Sequence, residues 1–153
     1  MSQIESPIES NNGIIEEQKL PTKIYSPNQV ACGTLGGPVG LVYFLYANFQ
    51  TLNQEEMKKK ALLWGSIFIA VLVFCLPFIP EEIPSSAFTA VYIVLGKMTA
   101  ENYQMKKEDI IASEDYEFHS NWRVFGLSIL CLIGSIVVIF IPLFIMAMAG
   151  IIA

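Results

Sequence analysis

The single histidine, His119, lies among acidic residues and is the first place where the sequence could support chemistry. Glu114, Asp115 and Glu117 precede it, and imidazole and carboxylate groups together can bind a metal or respond to pH. Zinc sites usually need three or four ligands, which a lone histidine does not supply. Ser26 could complete a Ser–His–acid set on paper, but no nucleophile elbow is present. We therefore predict a solvated histidine, with no metal site, no cofactor and no enzymatic activity.

The three cysteines also offer little chemistry. Cys32, Cys75 and Cys131 fall one in each of three apolar segments, and none has a C-x-x-C neighbour or a histidine at ligand spacing. Cysteines in such a setting are commonly apolar filler. We predict no disulfide bond.

Two further residues would matter in a transporter. Lys97 is the one ionisable residue within a candidate membrane segment, and intramembrane charge often marks a transport path. Pro38 lies in a glycine-rich segment, and broken helices line substrate paths in transporters. However, Lys97 lies near the end of its segment, where its side chain can snorkel, and Glu101 is spaced for an i,i+4 pair. No carboxylate lies deep in a predicted span to couple ions, so packing is the favoured interpretation.

Small residues on the first and last apolar segments predict close helix packing. Glycines four apart leave a bare strip that another helix backbone can approach. The first strip comprises Gly33, Gly36, Gly37 and Gly40, and the second comprises Ser128, Cys131 and Ser135. Pro38 cannot donate to the carbonyl of Thr34, which predicts a kink in the first helix.

The composition indicates an integral membrane protein. Hydrophobic residues make up 54% of the chain and charged residues 15%, with a mean hydropathy of +0.52. Soluble domains carry roughly 25% charged residues. No charge occurs between Lys23 and Glu55, between Lys60 and Glu81, or after Arg123. Such stretches match the roughly 20 residues that cross a bilayer. The net charge of −5 argues against nucleic acid as a partner.

These runs predict an all-α bundle of four transmembrane helices in one membrane domain, residues 25–153. The spans cover about 27–50, 61–78, 86–103 and 122–150, of which the third is short. Ser26, Pro27 and Gln29 form helix-start signals, namely an N-cap, a proline at the first position and a capping box. Residues 1–24 are predicted to be a flexible polar tail. The charged residues 104–123 predict an amphipathic cytoplasmic segment between the third and fourth helices.

The distribution of Lys and Arg predicts the orientation. With four crossings, the connections 51–60 and 97–123 share one side and carry seven of the nine Lys and Arg residues. Both connections are therefore predicted to be cytoplasmic, and both termini are predicted to be outside.

Several short motifs resemble a group of uncharacterised small bacterial membrane proteins. The motifs are Tyr25-Ser-Pro-Asn-Gln-Val, Gly36-Gly-Pro-Val-Gly, Tyr46-Ala-Asn-Phe and Asn121-Trp-Arg-Val-Phe-Gly. The resemblance covers residues 25 to about 150. It implies a location in the bacterial cytoplasmic membrane, and it carries no activity or catalytic residues.

The resulting hypothesis is a protein that acts in the lipid bilayer by packing against itself or a membrane partner through the Gly33–Gly40 strip. The alternative is a small oligomeric transporter or channel, with the glycine–proline helix lining its path. An immunity-like or stress-related role fits the size but has no residue to support it. A polar, water-accessible cavity that reaches Pro38 or Lys97 would distinguish transport from packing.

Overall fold

The structure is a computed structural model that describes residues 20–80 and 82–151. Within this part of the chain, α-helices predominate, and there are two short β-strands. The helices are α1 (Pro27–Gly33), α2 (Gly37–Thr51), α3 (Glu55–Cys75), α4 (Ser85–Tyr103), α5 (Lys107–Ala112) and α6 (Asn121–Met148). The strands β1 (Thr22–Ile24) and β2 (Tyr116–Phe118) pair in parallel.

The first apolar stretch is a helical hairpin. A 3-10 turn over Thr34–Gly36 follows α1, and α2 begins at Gly37, whose φ of +76° is readily adopted only by glycine. The chain reverses at this turn. The Tyr25 N–H donates to the Asn48 side-chain oxygen at 2.9 Å, and the Asn48 amide donates back to the Tyr25 carbonyl at 2.7 Å. A continuous helix would separate these two residues by about 34 Å.

The structure thus corrects the prediction of one kinked helix over residues 27–50. Pro38 lies in the first turn of α2, where its missing N–H group breaks no intrahelical hydrogen bond. The proline therefore starts the second arm of a hairpin and does not bend a continuous helix. The reversal itself depends on Gly37, because a side chain at positive φ would be strained.

Three stretches are long and apolar enough to cross a membrane, namely Pro27–Thr51, Glu55–Phe78 and Asn121–Met148. These stretches are compatible with a membrane location. The predicted bundle of four spans is not confirmed, since α4 is not one of the three. Pro27–Thr51 reaches its length only when both arms of the hairpin are counted, so it does not extend as a single rod.

The hairpin begins and ends at one end of the molecule, which we call the base. The chain leaves the base in α3 and returns in α4, since the Gln104 amide donates to the Leu45 carbonyl at 3.1 Å. Helix α6 also starts at the base, where the Gln29 amide donates to the His119 carbonyl at 2.6 Å. The first and last described residues therefore lie at opposite ends of the bundle. The prediction that both termini lie outside counted residues 27–50 as one full crossing, whereas the structure folds them into a hairpin; the side on which the termini lie stays a prediction.

The largest cluster of buried residues surrounds the hairpin, towards the base of the bundle. Its centre consists of Tyr25, Val30, Leu41, Phe44, Leu45, Phe49, Ala100 and Val124. By contrast, Val73 is the one buried residue of α3. No residue of α6 after Ser135 is buried.

The predicted polar tail lies mostly outside the described residues, which begin at Leu20. Its last part is ordered by pairing, because Thr22–Ile24 forms β1 against β2. The Ile24 side chain is fully buried, and its carbonyl accepts from the His119 N–H at 3.1 Å. The folded domain therefore includes β1, which precedes the predicted boundary at residue 25.

Candidate functional site

The start of α1 is joined to the start of α6 through the capping box. Ser26 Oγ accepts from the Gln29 N–H at 3.2 Å, and the Ser26 N–H donates to Gln29 Oε1 at 3.1 Å. This confirms the predicted N-cap and capping box. The remaining donor of Gln29, Nε2, reaches the His119 carbonyl at 2.6 Å and Asn121 Oδ1 at 2.9 Å. Gln29 thus completes the capping box of α1 and also hydrogen-bonds to the start of α6, about 90 residues later in the sequence.

A buried amide network closes the base of the hairpin. Besides its two bonds to the main chain of Tyr25, Asn48 Nδ2 donates to Gln104 Oε1 at 2.8 Å. Gln104 Nε2 then donates to the carbonyl of Leu45. Asn48 is 1% exposed, so its hydrogen-bonding groups have little access to water. The network joins Tyr25, which precedes the N-cap of α1, to helix α2 and the end of α4.

A hydroxyl group from α6 hydrogen-bonds to the backbone at the tip of the hairpin. Ser135 Oγ donates to the Gly36 carbonyl at 2.7 Å and accepts from the Val39 N–H at 3.2 Å. Both groups belong to backbone that lies beside the helix break. A hydroxyl is a donor and an acceptor at once, so it can satisfy both sides of the reversal. Ser135 is the fifteenth of the 28 residues of α6, which places the tip near the middle of that helix.

The two predicted small-residue strips face each other within the chain. A Cβ atom on Gly36 would lie 2.6 Å from the Ser128 carbonyl oxygen and 2.8 Å from Cys131 Cβ. A Cβ atom on Gly37 would lie 2.8 Å from Ser135 Oγ.

The other two glycines permit close approach of the hairpin arms. Gly33 lies against the ring of Phe44, and a Cβ atom on Gly40 would lie 2.5 Å from the Gly33 carbonyl oxygen. The Gly33–Gly40 strip is therefore occupied by α6 and by the hairpin itself.

The two predicted transport residues lie in different surroundings. Pro38 is buried beside the tip. The Lys97 side chain is 48% exposed, and its Nζ lies 3.7 Å from Glu101 Oε1, in the predicted i,i+4 pair. Neither residue lines the groove described below. Their positions do not define a shared path.

His119 is partly buried, which differs from the prediction of a solvated side chain. Its ring packs against Tyr25 with centroids 4.2 Å apart. Burial and the positive charges of Arg123 and Lys23 lower the pKa of His119 below its ordinary value. The neutral imidazole is therefore favoured at neutral pH. Among the residues that the structure describes, no group of three potential metal ligands surrounds it or any other position.

A groove of about 830 Å³ lies between α1 and the first half of α6. Its base end is polar, with Asn28, Lys107, Ser120 and Asn121 among its lining residues. Further along, apolar side chains line it, namely Cys32, Leu35, Phe125, Ile129 and Leu132. The volume falls within the range of small-molecule sites, roughly 300–1,000 Å³.

Asn48 and Gln104 were not predicted as important residues. Asn48 is the one amide in the run Leu41–Phe49, and an isolated buried amide implies a polar partner. That signal was available in the sequence, although it does not identify Tyr25 as the partner.

Comparisons with protein-family models, curated proteins and solved structures found no match.

Proposed function

We propose that this chain is a small multi-pass membrane protein that acts by packing against a second copy of itself or another membrane protein. The supporting observation is the uncovered outer half of α6. Every residue from Ile136 to Met148 is at least partly exposed, although α6 is the most apolar of the candidate spans. Membrane helices associate mainly by van der Waals packing and hydrogen bonding, so an uncovered helix is available to a partner.

The proposed topology has a re-entrant hairpin and three crossings by α3, α4 and α6. Irregular backbone at membrane depth is tolerated where protein buries it, as Ser135 and Cys131 do for the tip. No Lys or Arg occurs in the described residues between Lys60 and Lys97 or after Arg123. Positive charge is thus concentrated towards the base, which favours a cytoplasmic base and an external C-terminus. The membrane would be the cytoplasmic membrane of a bacterium, as the motif resemblance implies.

Cysteine labelling tests this topology. In a cysteine-free background, Thr22→Cys and Asn53→Cys are expected to react with a membrane-impermeant maleimide from the same side, because both lie at the base. Glu82→Cys is expected to react from the opposite side. The measurement is labelling in intact cells compared with inside-out vesicles. Labelling of Thr22→Cys and Asn53→Cys from opposite sides would show that residues 27–50 cross the membrane completely.

The interface is expected on the outer half of α6 and not on the glycine strip. The strip is already filled by contacts within the chain, as shown for Gly36 and Gly37. A Gly37→Leu variant would strain the hairpin, so a loss of association in that variant would not identify an interface. Phe140 and Phe144 are 66% and 68% exposed and lie four residues apart on one helix face. Substitutions at Phe140 and Phe144 therefore test the interface better than a substitution at Gly37 does.

Association can be measured by energy transfer between labelled copies in liposomes over a lipid-dilution series. The double variant Phe140→Ala, Phe144→Ala is expected to weaken dimerisation roughly tenfold or more, since each ring contributes large contact area. Leu62→Ala, Leu63→Ala is the control, because these exposed residues lie on α3 near the base. A protein that stays monomeric and forms no cross-link from position 144 to any protein in native membranes contradicts the proposal.

The alternative of a small transporter or channel is favoured by the broken backbone at Gly36–Gly37. Such breaks near mid-depth also line substrate paths in transporters. In this chain, however, the tip groups are satisfied by Ser135, and Lys97 is on an exposed surface. Solute flux in proteoliposomes that is lost in Pro38→Ala would support this alternative.

A further inference from the structure

The groove between α1 and α6 changes character along its length. At the base it is lined by the polar side chains of Asn28, Ser120 and Asn121. Beyond them, Cys32, Leu35 and Leu132 make the lining apolar. A site with one polar end and one apolar end matches an amphiphile that lies along it.

The level of this change matches the edge of a bilayer. Trp122 lies at the base and is 83% exposed. Its ring is edge to face with that of Phe125, and the ring centroids are 6.3 Å apart. Tryptophan rings on membrane proteins gather at the headgroup level. Asn121 and Leu132 are eleven residues apart on α6, or about 17 Å. One leaflet of the hydrocarbon core is about 15 Å thick, so the apolar part of the groove has the depth of one acyl chain.

The charge at the polar end selects the headgroup. Lys107 is the one ionised side chain among the described residues that line the groove, since His119 favours its neutral form, and none of the lining residues is acidic. An ammonium group beside several uncharged donors suits a phosphate-bearing anionic headgroup better than a zwitterionic one. The groove therefore combines a positively charged end at headgroup level with an apolar channel of leaflet depth.

We propose that this groove binds one anionic phospholipid, with its headgroup at Lys107 and one acyl chain along Leu35, Ile129 and Leu132. This inference rests on the membrane placement given above, but it does not depend on self-association. A lipid held there would fill the space between α1 and α6. The packing of α1 against α6 would then depend on the headgroup composition of the bilayer.

Tryptophan quenching by brominated lipids tests the proposal with the full chain in liposomes. Trp64→Phe leaves Trp122 as the single reporter next to the groove. Brominated phosphatidylglycerol is expected to quench Trp122 with about fivefold higher relative affinity than brominated phosphatidylcholine, the preference that one lysine near the surface confers. Lys107→Gln is expected to remove that preference. Lys59→Gln, an exposed lysine at the base of α3, is the matched control and should retain it.

A second pair of variants tests the apolar part of the groove. Cys32→Phe places a ring in the groove and is expected to lower quenching by both lipids. Cys75→Phe alters the other exposed cysteine, which lies outside the groove, and should leave quenching unchanged. Equal quenching by both lipids, or a preference that survives Lys107→Gln, overturns the proposal. Quenching that falls as the protein-to-lipid ratio rises assigns the groove to a second copy and overturns it equally.

Discussion

Asn48→Leu is expected to lower the free energy of unfolding by about 3–5 kcal/mol. Leucine is close to asparagine in size, so the main change is the loss of the amide. The Tyr25 N–H and carbonyl and the Gln104 side chain would each lose a partner. A buried polar group left without a hydrogen bond costs about 1–3 kcal/mol. The loss can be measured by reversible unfolding in mixed micelles, monitored by circular dichroism.

Gln50→Leu provides the matched control for this prediction. Gln50 is on the same helix two residues away, but its side chain is exposed. Its replacement is expected to change stability by less than about 0.5 kcal/mol, as is usual for surface positions. A similar small effect for Asn48→Leu would mean that the hairpin does not depend on the amide network.

Ser135→Ala is expected to destabilise the protein by about 1–3 kcal/mol. The variant removes two hydrogen bonds at the hairpin tip, those to the Gly36 carbonyl and from the Val39 N–H. The Val39 N–H lies in the first turn of α2, where the helix itself supplies no partner, so its loss costs about 1–3 kcal/mol, whereas the Gly36 carbonyl, as the N-cap of α2, keeps its intrahelical hydrogen bond. The expected result is a shifted unfolding transition, together with faster proteolysis or amide exchange within Thr34–Val39.

Ser128→Ala separates this effect from the general loss of a buried hydroxyl. Ser128 is also buried on α6, but its hydroxyl donates to the carbonyl of Val124, four residues earlier in the same helix. That carbonyl has its ordinary helical partner as well, so the cost is expected to stay below about 1 kcal/mol. Equal effects of the two variants would contradict a specific role for Ser135 at the tip.

Local signals predicted the start of the hairpin well. Ser26, Pro27 and Gln29 act through residues three positions apart, and the capping box is present as expected. The small residues at 128, 131 and 135 were also recognised as a strip that could meet the glycines. Such signals succeed because spacing alone determines which groups can touch.

The reversal at Gly36–Gly37 could not be predicted in the same way. A glycine–proline segment inside an apolar run is compatible with a kinked helix and with a hairpin. The choice depends on bonds between residues 23 positions apart, Tyr25 and Asn48, which no local pattern encodes. The orientation followed from this choice, because counting residues 27–50 as one crossing changes the side on which every earlier residue lies. The groove likewise needs α1 and α6 to be adjacent, which depends on the same reversal.

The bond between Val39 and Ser135 has a consequence for biosynthesis. The two residues are 96 positions apart, so most of the chain is made before the hydroxyl exists. In the proposed topology, the backbone groups at Gly36 and Val39 are until then without the hydroxyl that shields them from lipid. Since unpaired backbone groups are costly in hydrocarbon, the final form of the hairpin is then expected to depend on the arrival of α6. We therefore expect the first helix pair to leave the ribosome to be among the last parts of the structure to be completed.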